Sequence, residues 1–398
     1  MKNARELMEL HLDELRVVRV LGRGAMGTVL LVTARSSSTS PSLFALKVFD
    51  KNSPTMKPES DRRARWEVSV LSGLSHPFLP SLFASFETPE LLAWAIPFCS
   101  GGDLNALRHS LSDQVFSSAA IRFYLSEIVS ALAHLHSLNI VYRDLKPENV
   151  LIQSSGHLTL TDFDLSRYLS PKPPSSPPRP PPIPRRRRRR RRNLIRILFA
   201  KEVRSARVSP VSRRRGSFSG AGTCERSCSF VGTEEYVAPE VVRGEGHEFA
   251  VDWWALGILA YEMAYGKTPF RGRNRKETFR NVLTRQPEFV GRQGSDLTDL
   301  IGRLLEKDPT QRLGYAGGAE EVKAHPFFSG VRWDLLTEVA RPPFLAPVEE
   351  LEEEVTASGA DGTAKCPDVR EYFKRLHEPP RPRTDSPLVS SVSSLTEF

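Results

Sequence analysis

A glycine-rich turn between two β-like runs constrains the fold of this chain more than any other feature. The turn, from Gly22 through Gly24 to Gly27, lies in a stretch where apolar and polar residues alternate from about residue 15 to 50. Glycines at this spacing let the backbone approach phosphate groups, because no Cβ intervenes. A strand pattern follows the turn where a dinucleotide-binding βαβ unit would have a helix. The turn alone leaves a phosphate-binding loop and a plain glycine-rich hairpin as alternatives.

The pattern along the chain changes from β-like to helical near residue 100. Residues 59–73 have the spacing of a helix, and Leu82–Phe86 and Leu91–Phe98 have the composition of strands. Residues 119–139 then form a long amphipathic stretch without Pro or Gly, which predicts a helix. The sequence therefore predicts a small β-rich lobe joined to a larger helical lobe.

Residues 170–227 interrupt this pattern, and their composition predicts a disordered loop. The formal net charge of +9 is local, because Arg185–Arg192 supply eight positive charges and the rest of the chain is close to neutral. Three uses of this arginine run are open. A nuclear-import signal or electrostatic patch is favoured. Attachment to an anionic membrane surface is the alternative, aided by the apolar residues in 194–199. Dedicated nucleic-acid binding is not expected, because no aromatic residues are interleaved for stacking.

The sequence lacks the patterns that are typical of metal-binding, secreted and membrane-spanning proteins. The four cysteines, Cys99, Cys224, Cys228 and Cys366, do not have metal-ligand spacing, so a reduced intracellular protein is expected. The first fifteen residues lack the apolar run of a signal peptide. No apolar stretch approaches the length that spans a bilayer.

The stretch Tyr142–Asn149, YRDLKPEN, is the most specific motif in the sequence. It resembles the catalytic loop of the protein kinase family, with Tyr142 where many kinases carry His. The resemblance implies that Asp144 orients the substrate hydroxyl and accepts its proton, that Lys146 stabilises the transferring phosphoryl charge, and that Asn149 holds a magnesium ion. Lysine at position 146 is similar to the serine/threonine-specific form of the loop.

Further motifs follow in the order that the family shows. Lys47 lies twenty residues after Gly27 and matches the lysine that binds nucleotide phosphates, with Glu67 on the next predicted helix as its partner. Asp162 matches the metal-binding Asp. The remaining matches are structural: Glu240, expected to pair with Arg312, and Asp252, expected to brace the catalytic loop. The resemblance implies a non-specific serine/threonine protein kinase that uses ATP and Mg²⁺, with an α+β, two-lobed kinase fold.

The finer resemblance is to the AGC group. The stretches HPFLP, CSGGDL, VDWWALGILAYEM and RPPFLAP are similar to that group, and Asp-Phe-Asp with a long insertion before SFVGTEEYVAPE resembles the plant AGC VIII kinases, in particular a UNICORN-like branch. The expected division is a short segment 1–14, a kinase domain 15–328 with lobes at about 15–97 and 98–328, and an AGC-type tail 329–398. A role in plant growth or developmental signalling is implied.

Asp164 stands where most kinases have the Gly of Asp-Phe-Gly. Glycine tolerates positive φ, and Asp is among the better non-glycine residues in that conformation. We therefore expect Asp164 to accept such a backbone at modest cost and to change loop mobility, while the residues that do chemistry are all present. The alternative is a kinase fold without activity that acts as a scaffold.

The resemblance also assigns ligand contacts. ATP contacts are expected from Leu21, Gly22, Gly24, Gly27, Val29, Ala45, Lys47, Pro97, Cys99 and Asp103. Pro97 and Cys99 are expected to contact adenine through their backbone C=O and N–H groups, which makes Cys99 a hinge residue and not a reactive thiol. Ile96 is the expected gatekeeper. Acidic residues Asp103, Glu148 and Glu262 predict substrates with arginines before the target hydroxyl, and Thr233 is expected to shape the substrate loop.

Regulation and location are expected as follows. Ser229 holds the activation-loop position, and arginines precede Ser217, so both are candidate phosphorylation sites, by autophosphorylation or by an upstream kinase. Leu395–Phe398 resembles the hydrophobic motif that docks a phosphoinositide-dependent kinase. Arg185–Arg192 is a candidate site for an import receptor or anionic lipid. Nucleus and cytoplasm are the expected locations, with the plasma-membrane periphery as the alternative.

Overall fold

Five antiparallel strands form the sheet of the N-terminal lobe. The computed structural model describes residues 10–24, 27–34, 43–53, 58–169, 233–246, 248–291, 294–338 and 367–377. The strands are β1 (Leu15–Gly24), β2 (Gly27–Ala34), β3 (Leu43–Asp50), β4 (Ala84–Glu87) and β5 (Leu91–Pro97). They pair in the order β1-β2-β3-β5-β4, and helix α1 (Pro58–Leu71) follows β3 in the chain.

Side-chain alternation gives this sheet two apolar faces. Phe49 on β3 and Trp94 on β5 belong to the main core, which also includes buried residues of α1. Leu46 and Ala93 point the other way, into a separate outer cluster. Lys47 is two positions before Phe49, so it lies on the face toward α1.

The C-terminal lobe is mainly helical. Its helices are α2 (Leu104–Ser110), α3 (Ser118–Ser137), α4 (Pro239–Arg243), α5 (Ala250–Tyr265), α6 (Arg275–Thr284), α7 (Asp296–Leu304) and α8 (Gly318–Lys323). Helix α5 is buried around nearly its whole circumference, with Trp253 and Trp254 fully enclosed, as expected for a central helix that is apolar on all sides.

Two short strand pairs flank the loops that form the site. Strand β6 (Ile140–Val141) pairs with β9 (Arg167–Tyr168), and β7 (Val150–Ile152) pairs with β8 (Leu158–Leu160). Single-turn 3-10 helices occur at Leu12–Glu14, Pro147–Asn149, Glu234–Tyr236, Pro309–Gln311, Pro326–Phe328 and Leu336–Glu338. Within the described ranges, no helix is both long enough and apolar enough to cross a membrane.

A tail helix, α9 (Val369–His377), covers part of the outer face of the sheet. Val369 and Phe373 are one helical turn apart and are buried in the outer cluster with residues of β1, β2 and β3. The Tyr372 hydroxyl accepts a hydrogen bond of 2.9 Å from Arg23 at the glycine-rich turn. The sequence analysis did not predict this helix, although the apolar spacing in VREYFKRLH was the available signal.

The predicted lobes and most predicted elements are present. The helix expected at 59–73 is α1 and ends two residues earlier, at Leu71, while the helix expected at 119–139 is α3. Several other predictions lie outside the described residues: the loop 170–227 with Arg185–Arg192, the phosphorylation candidates Ser217 and Ser229, and the motif Leu395–Phe398.

A buried ion pair joins the start of α4 to the segment that follows α7. Arg312 donates to both Glu240 oxygens, at 2.6 and 2.9 Å, and the two side chains are 0% and 3% exposed. The predicted Glu240–Arg312 pair is therefore present. Arg312 also donates to the Ala250 carbonyl at 2.8 Å, which ties the pair to α5. Burial and bidentate geometry make this an ion pair whose two halves depend on each other.

Removing either partner is expected to destabilise the protein strongly. Glu240→Gln or Arg312→Met should lower the free energy of unfolding by about 3–5 kcal/mol, because the remaining charge stays buried without its partner. Denaturant unfolding of the full chain measures the change. The exposed pair Arg332–Asp334 supplies the control, and Asp334→Asn should leave the midpoint unchanged. Equal midpoints for Glu240→Gln and Asp334→Asn would contradict this assignment.

Candidate active site

The glycine-rich turn closes the end of the β1–β2 hairpin. Gly24 pairs with Gly27 in the antiparallel register, and residues 25–26 between them lie outside the described residues. Gly27 has φ +126°, and a Cβ built there would lie 2.1 Å from the Val48 carbonyl oxygen. Only glycine fits this backbone and this close approach to β3. The turn therefore lies directly above the strand that carries Lys47.

Lys47 joins three elements through two carboxylates. Its Nζ lies 2.8 Å from Glu67 Oε2 on α1 and 2.7 Å from Asp162 Oδ1 after β8. Burial disfavours the charged amine, but Glu67 and Asp162 outweigh burial and raise the pKa of Lys47 above its ordinary value. The lysine is thus a fixed cation beneath the glycine-rich turn, and the expected Lys47–Glu67 pair is present.

Asp252 on α5 braces the loop before the candidate catalytic residue. Its two oxygens accept hydrogen bonds from the backbone N–H groups of Tyr142 at 2.9 Å and Arg143 at 2.8 Å. The buried Asp252 also lies 2.8 Å from Nε2 of His136. These bonds hold Arg143 at φ +70°, in the left-handed region that non-glycine residues rarely adopt. The geometry agrees with the bracing role expected for Asp252.

Asp144, Lys146 and Asn149 form a connected group at the floor of the cleft. Asp144 Oδ2 accepts hydrogen bonds from Lys146 Nζ at 2.9 Å and from Asn149 Nδ2 at 2.8 Å. Burial raises the pKa of Asp144, although both hydrogen bonds oppose the shift. A carboxylate made more basic by burial, with its orientation fixed by two donors, is suited to accept a proton.

Asp162 and Asn149 offer oxygen ligands on neighbouring positions of one hairpin. Asn149 precedes β7 and Asp162 follows β8, and the Thr161 N–H donates to the Asn149 carbonyl at 3.0 Å. Because Asn149 Nδ2 is committed to Asp144, its side-chain oxygen remains for a cation. Burial by itself would raise the pKa of Asp162. The charge and hydrogen bond of Lys47 outweigh burial, so the pKa of Asp162 lies below its ordinary value. An ionised carboxylate and an amide oxygen fit a hard divalent cation that takes its other ligands from phosphates and water.

The positive φ in this turn occurs at Asp162 and not at Asp164. Asp162 has φ +61°, whereas Asp164 is not among the described non-glycine residues with positive φ. The tolerance of Asp for positive φ is therefore not used at position 164, and the expected change in loop mobility stays a prediction. The Asp164 side chain is buried, and burial followed by the charge of Asp162 raises its pKa to about 7.

Three arginines converge beside this turn. Burial and the charges of Arg167 and Arg63 lower the pKa of Arg143 to about 10, and Asp252 and Asp164 oppose the shift. The Arg143 Nε donates to the Leu165 carbonyl at 2.7 Å, which fixes the guanidinium against the start of the activation segment. Arg63 comes from α1 and Arg167 from β9, so the cluster joins both lobes.

The residues expected to contact ATP come from the strands of the N-terminal lobe and from the segment that leads into the C-terminal lobe. Ala45 pairs with Ile96 across β3 and β5, and both are buried. Strand β5 ends at Pro97, as expected for a hinge. Burial raises the pKa of the Cys99 thiol to about 12, which makes a reactive thiolate unfavourable there. Leu21 and Val29 are half-buried against the main core. Asp103 accepts from the Ala106 N–H at 2.8 Å and caps α2.

Acidic residues flank the opening beside Asp144. Glu148 is exposed, whereas the Glu262 side chain is 13% exposed and accepts from the Tyr236 hydroxyl at 2.6 Å. Arg108 lies 3.6 Å from the other Glu262 oxygen, so this carboxylate already has a cationic neighbour. Thr233 and Asp144 line the same cavity of about 30 Å³. Sequence reasoning missed Arg108 and Tyr236, because no local pattern marks a residue that pairs with a distant helix.

Comparison with known proteins now assigns the family. Residues 15–178 and 216–328 match the family described as protein kinase domain. Serine/threonine-protein kinase UCN of Arabidopsis thaliana is 55% identical over 389 residues, which cover 94% of this chain and 93% of that protein. Serine/threonine-protein kinase UCNL of the same plant is 54% identical over 398 residues, covering 96% and 93%. Protein kinase PINOID of Oryza sativa subsp. japonica is 44% identical over 339 residues, covering 83% and 69%. The chain belongs to the protein kinase family and is a serine/threonine protein kinase of the plant AGC VIII group.

Proposed function

We propose that this kinase is catalytically active, uses Mg²⁺ with ATP, and phosphorylates serine or threonine in substrates with nearby basic residues. The observation that carries the proposal is the assembled charge network. Lys47 contacts both Glu67 and Asp162, while Asp144 is held by Lys146 and Asn149. A kinase fold that acted only as a scaffold would not need both groups in position.

The side chains divide the work of phosphoryl transfer. A bound divalent cation would neutralise phosphate charge, and Asp162 and Asn149 are the residues that would hold it. The Lys47 ammonium offers a fixed positive charge to phosphate oxygens. Asp144 orients the substrate hydroxyl and accepts its proton, while Lys146, which lies beside Asp144, stabilises the charge on the transferring group.

Removing the proton acceptor or the phosphate-binding lysine is expected to abolish most of the transfer. Asp144→Asn should lower kcat by about 10²–10⁴-fold, because Asn cannot accept the proton. Lys47→Met should lower kcat/KM for ATP by at least about 10²-fold, through loss of a preorganised charge. Transfer of labelled phosphate from MgATP to a basic serine peptide measures both.

Matched substitutions control for general damage. Asp113→Asn changes an exposed Asp. Lys51→Met changes a lysine that directly follows β3, the strand of Lys47, and pairs with Glu87. Both controls should keep wild-type transfer. Folded wild-type protein that shows no transfer would favour the scaffold alternative. Equal activity in Asp144→Asn and Asp113→Asn would remove Asp144 from the mechanism.

Basophilic recognition is supported by the charge around the substrate side of the cleft. The charges of Glu148 and Glu235 add to burial in raising the pKa of Glu262, so the three carboxylates lie close enough to interact. A cationic substrate side chain near them would relieve this repulsion, and a guanidinium can form a paired contact with a carboxylate. The acids expected to recognise substrate arginines are Asp103, Glu148 and Glu262. Glu148 is the most accessible of them, because Asp103 caps α2 and Glu262 contacts Arg108.

Glu148→Ala is expected to discriminate between two peptides. The kcat/KM for a peptide with arginines two and three residues before serine should fall by about tenfold, because a charge-assisted contact is lost. The value for the same peptide with alanines should stay constant. Glu320→Ala, an exposed acid on α8, is the control. A parallel fall for both peptides would contradict a role in arginine recognition.

Phosphorylation of Ser229 is supported by the arginine cluster. A phosphate carries roughly −1.5 to −2 charges and forms charge-assisted hydrogen bonds with guanidinium groups. The charges of Arg63 and Arg167 both act unfavourably on Arg143, so an anion near these arginines would relieve the repulsion. Ser229 follows Arg226 by three residues, which makes it a substrate for a basophilic kinase, including this one.

Active enzyme is expected to carry phosphate on Ser229, and Ser229→Ala should lower kcat because the activation segment loses its anchor. Phosphopeptide mapping and transfer assays measure the two effects. Expression of the Asp144→Asn variant shows which kinase modifies Ser229. Loss of the phosphate in this variant indicates autophosphorylation, whereas phosphate that remains comes from another kinase. Fully active protein without phosphate on Ser229 would contradict the proposal.

The remaining proposals rest on sequence alone. Ser217 as a second autophosphorylation site, Leu395–Phe398 as a docking motif for an upstream kinase, and Arg185–Arg192 as a nuclear-import or anionic-lipid contact all lie outside the described residues. A role in plant growth or developmental signalling also stays a prediction.

A further inference from the structure

Asp164 places a carboxylate inside the protein that phosphoryl transfer does not require. Its side chain is 6% exposed, and the charge of Asp162 acts on it. A buried ionisable group costs free energy unless a partner compensates. The φ of Asp164 lies outside the left-handed region, so the backbone does not call for a special residue there. The side chain itself is therefore the feature that needs a role.

Arg63 on α1 lies within ion-pair distance of this carboxylate, on which the charge of Lys47 also acts. The Arg63 Nη1 lies 3.6 Å from Asp164 Oδ2, and the arginine side chain is 39% exposed. Arg63 precedes Glu67 by four residues, so the two side chains lie one turn apart on the same face of α1. The helix thus presents a cation and an anion to the same loop.

Glu67 and Arg63 of α1 are both linked to the Asp162–Asp164 turn. Glu67 is linked to it through Lys47, which contacts Asp162 at 2.7 Å, whereas Arg63 contacts Asp164 directly. The pair at Asp164 adds a second charged attachment, one helical turn from the first, which restrains rotation of the helix and helps to hold Glu67 toward Lys47.

We propose that Asp164 is a positioning residue, which pairs with Arg63 to hold α1 in the orientation that keeps Glu67 on Lys47. The proposal rests on the proposed catalytic function only where activity is the readout. It gives the Asp in Asp-Phe-Asp a role that glycine cannot perform, since glycine has no side chain to reach the helix.

Neighbouring contacts set the expected size of the effect. Trp66, also on α1, donates to Ser166 Oγ at 3.1 Å and packs edge-on against Tyr168, with ring centroids 5.3 Å apart. These contacts remain when Asp164 is changed, so α1 should loosen without detaching. Arg63 is also partly exposed, and solvent screening limits the strength of its pair with Asp164.

Hydrogen exchange of α1 in the full chain tests the pairing without depending on activity. Ser229→Ala is included in every protein, so that an activation-segment phosphate cannot become the partner of Arg63. Asp164→Asn and Arg63→Ala should each speed exchange of the α1 amides by about three- to tenfold, and the double variant should exchange no faster than either single. The exchange of α5 serves as an internal reference for an intact fold.

Two controls define the outcomes. Arg62→Ala removes an exposed arginine from the same helix and should exchange like the parent protein. Arg63→Lys keeps the charge and should keep most of the protection. Unchanged α1 exchange in Asp164→Asn, or additive effects in the double variant, would overturn the proposal. Equal loss of protection in Arg63→Lys and Arg63→Ala would also overturn it.

Steady-state kinetics supply the functional readout. Looser positioning of Lys47 should raise KM for ATP by about three- to tenfold in Asp164→Asn, with KM for the peptide unchanged. Equal rises in both KM values would point to general damage and overturn the positioning role. If the wild-type chain, with Ser229 intact, transfers no phosphate, the proposed function fails, while the exchange experiment still decides between pairing and no pairing.

Discussion

The partly buried contact between Lys47 and two carboxylates is the interaction on which the arrangement of the site depends. Lys47 is supplied by the central strand of the sheet, Glu67 by the helix beside it, and Asp162 by a loop of the other lobe. Each of these charges would be costly to bury alone, because the interior solvates ions poorly. Their mutual compensation therefore requires that the sheet, α1 and the loop of Asp162 occupy one relative position.

The second lobe is organised by the same principle. Buried charges there are held by backbone groups as well as by each other: Asp252 accepts two backbone N–H groups, and Arg312 combines Glu240 with a carbonyl of α5. Helix α5 supplies a rigid apolar frame for both arrangements. Asp144 thus lies on a loop whose irregular backbone, with Arg143 at positive φ, is fixed from beneath by a central helix.

Asp164 departs from the usual kinase pattern, and the contacts that explain this departure are visible only in the three-dimensional structure. The sequence alone points to the backbone conformation of this residue, because glycine usually stands there. In the structure its side chain is the notable feature, because it is buried and faces Arg63. A carboxylate at this place adds negative charge to a region where three arginines raise the positive potential, so the local charge balance differs from that of a kinase with glycine.

The family, the two-lobed fold and the site residues Lys47, Glu67, Asp144, Asn149 and Asp162 could be predicted from the sequence, because short motifs in the family's order carry the resemblance to protein kinases and the resemblance implies these residues. Only the tertiary structure revealed the partners that come from distant segments. The pairs Arg63–Asp164, Arg108–Glu262 and Arg23–Tyr372 join residues between 101 and 349 positions apart. Such contacts depend on how completed elements pack, and local periodicity carries no information about which arginine a folded chain will bring to which carboxylate or hydroxyl.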